Sequence, residues 1–112
     1  MEDCIFCKIA HGEIPARNIY EDDEVLAFHD VSPQAPIHFL VIPKRHIRNI
    51  METDDSLLLG KLLYQAQKLA AALGCAENGA RFVINCKFDG GQTVDHLHIH
   101  VLGGRPLAWP PG

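Results

Sequence analysis

The sequence predicts an α+β fold, an antiparallel sheet of about five strands carrying one long helix and one short one. Three observations point to it. Short apolar runs recur between turn residues, one segment carries a helical apolar stripe, and no strand–helix–strand rhythm repeats. A chain of 112 residues, 47% hydrophobic and 21% charged, supports a single domain, residues 1–112, with one modest core.

The elements follow in order. Ile5, Phe6 and Ile9 sit at helical spacing in residues 4–11, and Gly12 and Pro15 then stop a short helix. Residues 18–21 and 24–28 read as two strands around the acidic turn Asp22-Asp23. Ser32-Pro33-Gln34-Ala35-Pro36 is a loop, because each proline pushes the residue before it out of the α region. Residues 38–42 form an apolar strand that ends at Pro43. Thr53 is the expected N-cap of the long helix, with Asp54 and Asp55 in the first turn, where negative charge suits the helix dipole. Leu58, Leu62, Ala66, Leu69 and Leu73 make its core-facing stripe, and Gly74 follows as the C′ residue. Residues 81–86 then read as a strand, 88–93 as a glycine-containing loop and 95–102 as a final strand. The tail, with Pro106, Pro110 and Pro111, continues neither kind of element.

Composition excludes several classes of function. The longest near-apolar stretch is interrupted by Lys61, Gln65, Gln67 and Lys68, so no membrane span is expected. The N-terminus shows no basic segment followed by an apolar one, so a cytoplasmic protein is expected. Net charge is −4, and no basic cluster exceeds the short run from Lys44 to Arg48, which argues against a long nucleic acid as partner. A single nucleotide remains compatible, since backbone N–H groups and a few side chains can hold one phosphate. The four cysteines include Cys4-x-x-Cys7, half of a zinc site or a redox pair. Cys86 reads as a small buried hydrophobe.

Chemistry concentrates in His96-Leu97-His98-Ile99-His100. As a strand this run puts its three imidazoles on one face and Leu97, Ile99 and Val101 on the other. A three-histidine metal site does not fit a straight strand. Alternate residues on one face stand roughly 6.6 Å apart, against metal–nitrogen bonds of about 2 Å. A division of labour fits better, in which one imidazole attacks while its neighbours manage a proton or an oxyanion. The preceding Gly90-Gly91-Gln92-Thr93 lets backbone N–H groups close on an anion, and Thr93 adds a hydroxyl. Cys4 and Cys7, joined by one or both of His38 and His46, could build a tetrahedral zinc site, any fourth ligand coming from the histidine strand or from water. Asp30, at a strand end, could accept from vicinal ribose hydroxyls.

The run from Gly90 to Gly104 resembles the signature of the histidine-triad (HIT) superfamily. The resemblance continues through Ala27-Phe28-His29-Asp30, Ser32 to Pro36, Phe39 to Pro43 and Trp109-Pro110-Pro111-Gly112, and it is nearest to the Hint branch of nucleoside phosphoramidases. It implies a homodimer that extends its sheet across the interface. It also implies hydrolysis of purine nucleoside phosphoramidates, AMP joined to an amine, through a nucleotidyl-histidine intermediate. In that reading His98 is the nucleophile, and His100 and Thr93 complete the catalytic group. Asp30 and Val31 hold the ribose, Asn85, Gly91, Gln92 and Thr93 surround the phosphate with His98 and His100, and Ile5, Phe6, Ile9 and Phe28 wall the base. Bacterial relatives of this type imply a structural zinc on Cys4, Cys7, His46 and His96, and no cofactor for catalysis. Thr93 stands where the branch usually has serine, and Asp95 where an aromatic residue is common. The alternatives are a dinucleoside polyphosphate hydrolase or nucleotidyl transferase on the same scaffold, and a zinc-stabilised nucleotide-binding module.

Overall fold

The structure is a computed structural model that describes residues 3–112. Helix α1 (Ile5–Ala10) leads into strands β1 (Asn18–Glu21), β2 (Val25–His29) and β3 (Ile37–Pro43). Helix α2 (Ser56–Ala70) follows, then β4 (Ala80–Val83), the short helical turn α3 (Lys87–Gly90) and β5 (Ile99–Gly103). The strands form one five-stranded sheet in the order β1-β2-β3-β5-β4, every neighbouring pair antiparallel.

Strand alternation gives the central strands two buried faces. On one face Val25, Ala27, Phe39, Val41, Leu97, Ile99 and Val101 meet Leu58, Leu62, Ala66 and Ala70 of α2. On the other, Leu26, Phe28, Leu40 and Ile42 meet Phe6 of α1. The expected stripe on α2 is therefore the core stripe, with Leu69 and Leu73 at its margin. Among the described residues no helix is long and apolar enough to cross a membrane.

Four local expectations shift. Asp55, not Thr53, caps α2: its Oδ1 accepts from the Leu58 N–H at 3.0 Å, while the Thr53 hydroxyl accepts from the Asp55 N–H at 3.1 Å. The final strand begins at Ile99, not residue 95. The Leu97 N–H donates to the Ile47 carbonyl at 2.6 Å and the His96 N–H to Val94 at 2.9 Å, which bends residues 94–96 away from the ladder. Strand β4 stops at Val83, so Ile84 and Asn85 leave the sheet. Cys86 caps α3 and is half-buried, not a core residue.

Candidate active site and metal centre

The bend that delays β5 brings the start of the histidine run onto α1. His96 is fully buried, and its Nδ1 lies 3.2 Å from Cys4 Sγ and 3.5 Å from Cys7 Sγ. His46 Nδ1 lies 3.2 Å from Cys7 Sγ. Donor atoms of Cys4, Cys7, His46 and His96 all fall within 4.8 Å of one another. Of the two histidines weighed for the thiol pair, the fold brings in His46, and His38 lies elsewhere. The tautomer of His96 suits a ligand: its Nε2–H donates to the Pro43 carbonyl at 2.7 Å, leaving the Nδ1 lone pair aimed at the sulfurs. Two thiols and two imidazoles are a donor set that fits zinc. Burial holds His46 below its ordinary value and His96 down at about 4, so both rings offer lone pairs at neutral pH. Burial, with the Cys4 thiol beside it, pushes the Cys7 thiol up; a bound cation would reverse that direction.

His98 faces the opposite way chemically. Its Nδ1–H donates to the His96 carbonyl at 2.6 Å, which leaves Nε2 with the free lone pair. The ring is only 4% exposed, packed edge-on to Phe6 at 5.1 Å between centroids and against His100 at 4.9 Å. Among the described residues no buried side-chain nitrogen or oxygen lacks a partner. The Nε2 of His98 bonds to none of those residues. Burial keeps His98 below its ordinary value, so the ring stays neutral at physiological pH.

A second group joins it from β3. His38 Nε2 lies 3.0 Å from His100 Nδ1 and 3.5 Å from Asp30 Oδ2. The other oxygen of Asp30 accepts from the Ser32 N–H at 2.8 Å. Burial, then the His98 and His38 rings, pushes His100 down to about 4. The sequence reading gave His38 no part in this cluster. Strand register makes the contact: β3 and β5 pair Leu40 with His100, so His38 sits one diagonal step away on the same face.

The loop before the histidines differs from expectation. The N–H groups of Gly90, Gly91 and Gln92 already donate to the carbonyls of Cys86, Phe88 and Lys87, closing the α3 turn. They are not free to cradle an anion. Gly91 instead supplies the left-handed conformation that ends the turn, at φ 76°. The Gln92 amide stitches the loop, accepting from the Lys87 N–H and donating to the Arg48 and Val94 carbonyls. Asn85 is half-buried, and Val31 is 93% exposed beside Asp30. Thr93 lines an open depression of about 890 Å³ with Cys4, Ile5, His46, Arg48 and Asp95. That depression adjoins the thiol end of the run and does not reach His98 or His100. Of the expected base walls, Phe6 and Phe28 are buried against each other, Ile9 is partly buried and Ile5 is exposed.

Known proteins share this arrangement of elements. The HIT domain family model matches residues 11–107. A HIT-like protein from Synechococcus elongatus is 58% identical over 113 residues, 99% of this chain and 98% of the relative. The crystal structure of a HIT family hydrolase from Legionella pneumophila superposes with a TM-score of 0.96 at 54% identity, covering 98% of this chain and 100% of that one. A zinc-bound histidine triad family protein from Mycobacterium smegmatis superposes with a TM-score of 0.85 at 34% identity, covering 93% of this chain and 76% of that one.

Proposed function

The chain belongs to the HIT domain family, and we propose that within it the protein is a nucleoside phosphoramidase of the Hint branch, cleaving AMP–amine conjugates through His98. One observation carries the reading: the His98 Nδ1–H is fixed on the His96 carbonyl, so the ring can attack only through Nε2. Nε2 forms a bond to phosphorus as the P–N bond to the amine breaks, and the departing nitrogen takes up a proton. Positive charge then grows on the imidazole, and the His96 carbonyl stabilises it through the Nδ1–H. Water attacks phosphorus in the second step, releases a proton, and frees AMP and the ring. The Legionella relative is named a hydrolase, which supports this class of reaction.

Around that step, His100 and Thr93 donate to the phosphoryl oxygens or the leaving group, with Asn85 beside them and Gly91 and Gln92 shaping the loop. Asp30, with Val31 alongside, takes the ribose hydroxyls. Cys4, Cys7, His46 and His96 hold a structural zinc, supported by the donor set and by the zinc-bound Mycobacterium relative. Bound there, the metal would fix α1 against the histidine run and take no part in catalysis.

The protein acts as a homodimer in this reading. Strand β4 is a sheet edge, and Phe82, Ile84 and Leu63 near it are exposed. An apolar recess of about 170 Å³, lined by Leu59, Leu63, Ile84 and Leu97 among others, adjoins them. An uncovered apolar edge invites pairing with a second copy.

The test is a single-turnover reaction with phosphorus-labelled adenosine phosphoramidate. A labelled adduct mapping to His98, and turnover much faster than with diadenosine polyphosphate, is the expected result. Turnover with no adduct on His98, or binding with no turnover, ends the proposal.

A further inference from the structure

We propose that His38 is a positioning residue that fixes the tautomer of His100, making its Nε2–H the permanent donor toward the phosphoryl group. The role toward phosphate rests on the reading above; the tautomer itself does not. The backbone N–H of Gln34 points at His38 Nδ1 from 3.0 Å. A backbone amide can only donate, so Nδ1 accepts and the ring proton of His38 sits on Nε2. That N–H faces His100 Nδ1 at 3.0 Å, with Asp30 Oδ2 as a longer second acceptor at 3.5 Å. His100 Nδ1 must then accept, and the His100 proton sits on Nε2. A further proton on either ring would set two donors face to face in a buried place, in keeping with the low basicity of both rings.

The same geometry decides against a metal among Asp30, His38 and His100, whose donor atoms also lie within 4.8 Å of one another. A cation on His38 Nε2 would need the ring proton on Nδ1, where the Gln34 N–H already points. The group is a hydrogen-bond chain. Its output is a neutral donor. With His38 removed, His100 is free to turn its proton to Nδ1 and present a lone pair to an anionic phosphoryl group. The loss falls on the transition state, where charge on the phosphoryl oxygens is greatest.

The test uses nitrogen-15 histidine NMR and steady-state kinetics on the full chain, as wild type, His38→Ala and His38→Gln. Wild-type His100 is expected as the single Nε2–H tautomer. His38→Ala is expected to mix the tautomers and lower kcat by about 10- to 100-fold with KM nearly unchanged. His38→Gln, which keeps an N–H donor, should restore part of both. Wild-type His100 protonated on Nδ1 overturns the proposal without recourse to any variant. So does a Gln variant no better than Ala in tautomer and kcat, or excess zinc that shifts the His38 and His100 signals as ligands. A locked tautomer in a protein that does not turn over phosphoramidate upholds the lock and refutes the enzymatic reading instead.

Discussion

Two neighbouring histidines of one five-residue run, His96 and His98, are held in opposite ways. At the thiol end, His96 gives its Nε2–H to the Pro43 carbonyl and aims Nδ1 at two sulfurs. Two residues on, His98 gives its Nδ1–H to a backbone carbonyl and keeps its lone pair on Nε2. Both rings are buried and both are held neutral. Burial therefore does not separate the proposed ligand from the proposed nucleophile. The partner of the other nitrogen does, because it fixes which lone pair is free and where it points.

The contrast can be broken by substitution. His98→Ala should lower turnover by roughly 10³-fold or more, with zinc content and AMP affinity close to wild type. Steady-state kinetics, metal analysis and calorimetry on one preparation measure all three, and retained turnover would erase the distinction. Cys4→Ser with Cys7→Ser is the reciprocal change. Zinc should disappear from the purified protein and Tm should fall by on the order of 10 °C. Metal content equal to wild type would remove the thiol end from the comparison.

Leu62→Ala touches neither end. Leu62 is 1% exposed between α2 and the far face of the sheet, and its truncation should cost about 3 kcal/mol in urea unfolding. Metal content and the activity of the folded fraction should hold. Their loss would mean that the two faces are not independent.

Acid sharpens the contrast most gently. His100 has a folded value of about 4 against an ordinary 6.5, so the unfolded chain binds its proton first. Its contribution to stability is complete above about pH 6.5 and declines as pH falls from there toward about 4. Urea unfolding of wild type and His100→Gln across that window should show a shallower decline in the variant. Equal slopes would mean that His100 is not the group responsible.

Much of this was legible in the chain. The period of Leu58, Leu62 and Ala66 gave α2, and the alternation of Leu97, Ile99 and Val101 gave the face that α2 covers. The bent segment was not legible, because a Leu97–Ile47 backbone bond replaces a ladder bond and leaves no mark on residue type. Lys87 hides its turn in another way: its φ of 57° is a conformation that sequence rules reserve for glycine. The anion-cradle expectation for Gly90-Gly91 failed because their N–H groups were needed to close that turn. The spacing of Cys4 and Cys7 suggested half of a metal site, and the family resemblance, not residue type, singled out His46 and His96. From sequence, His38 reads only as a candidate ligand beside the thiols, since its partnership with His100 depends on register across a strand pair distant in sequence.

His96 is pinned through three atoms: Nδ1 by sulfurs of the first helix, Nε2 by the last carbonyl of β3, and its own carbonyl oxygen by the next ring along. A part held in that manner has no private motion. Any slackening of the sulfur grip that lets this imidazole pivot also tips the peptide plane that aims its neighbour. Tolerance to change at the N-terminal cysteines is thus bounded by the alignment of an atom on a different side chain.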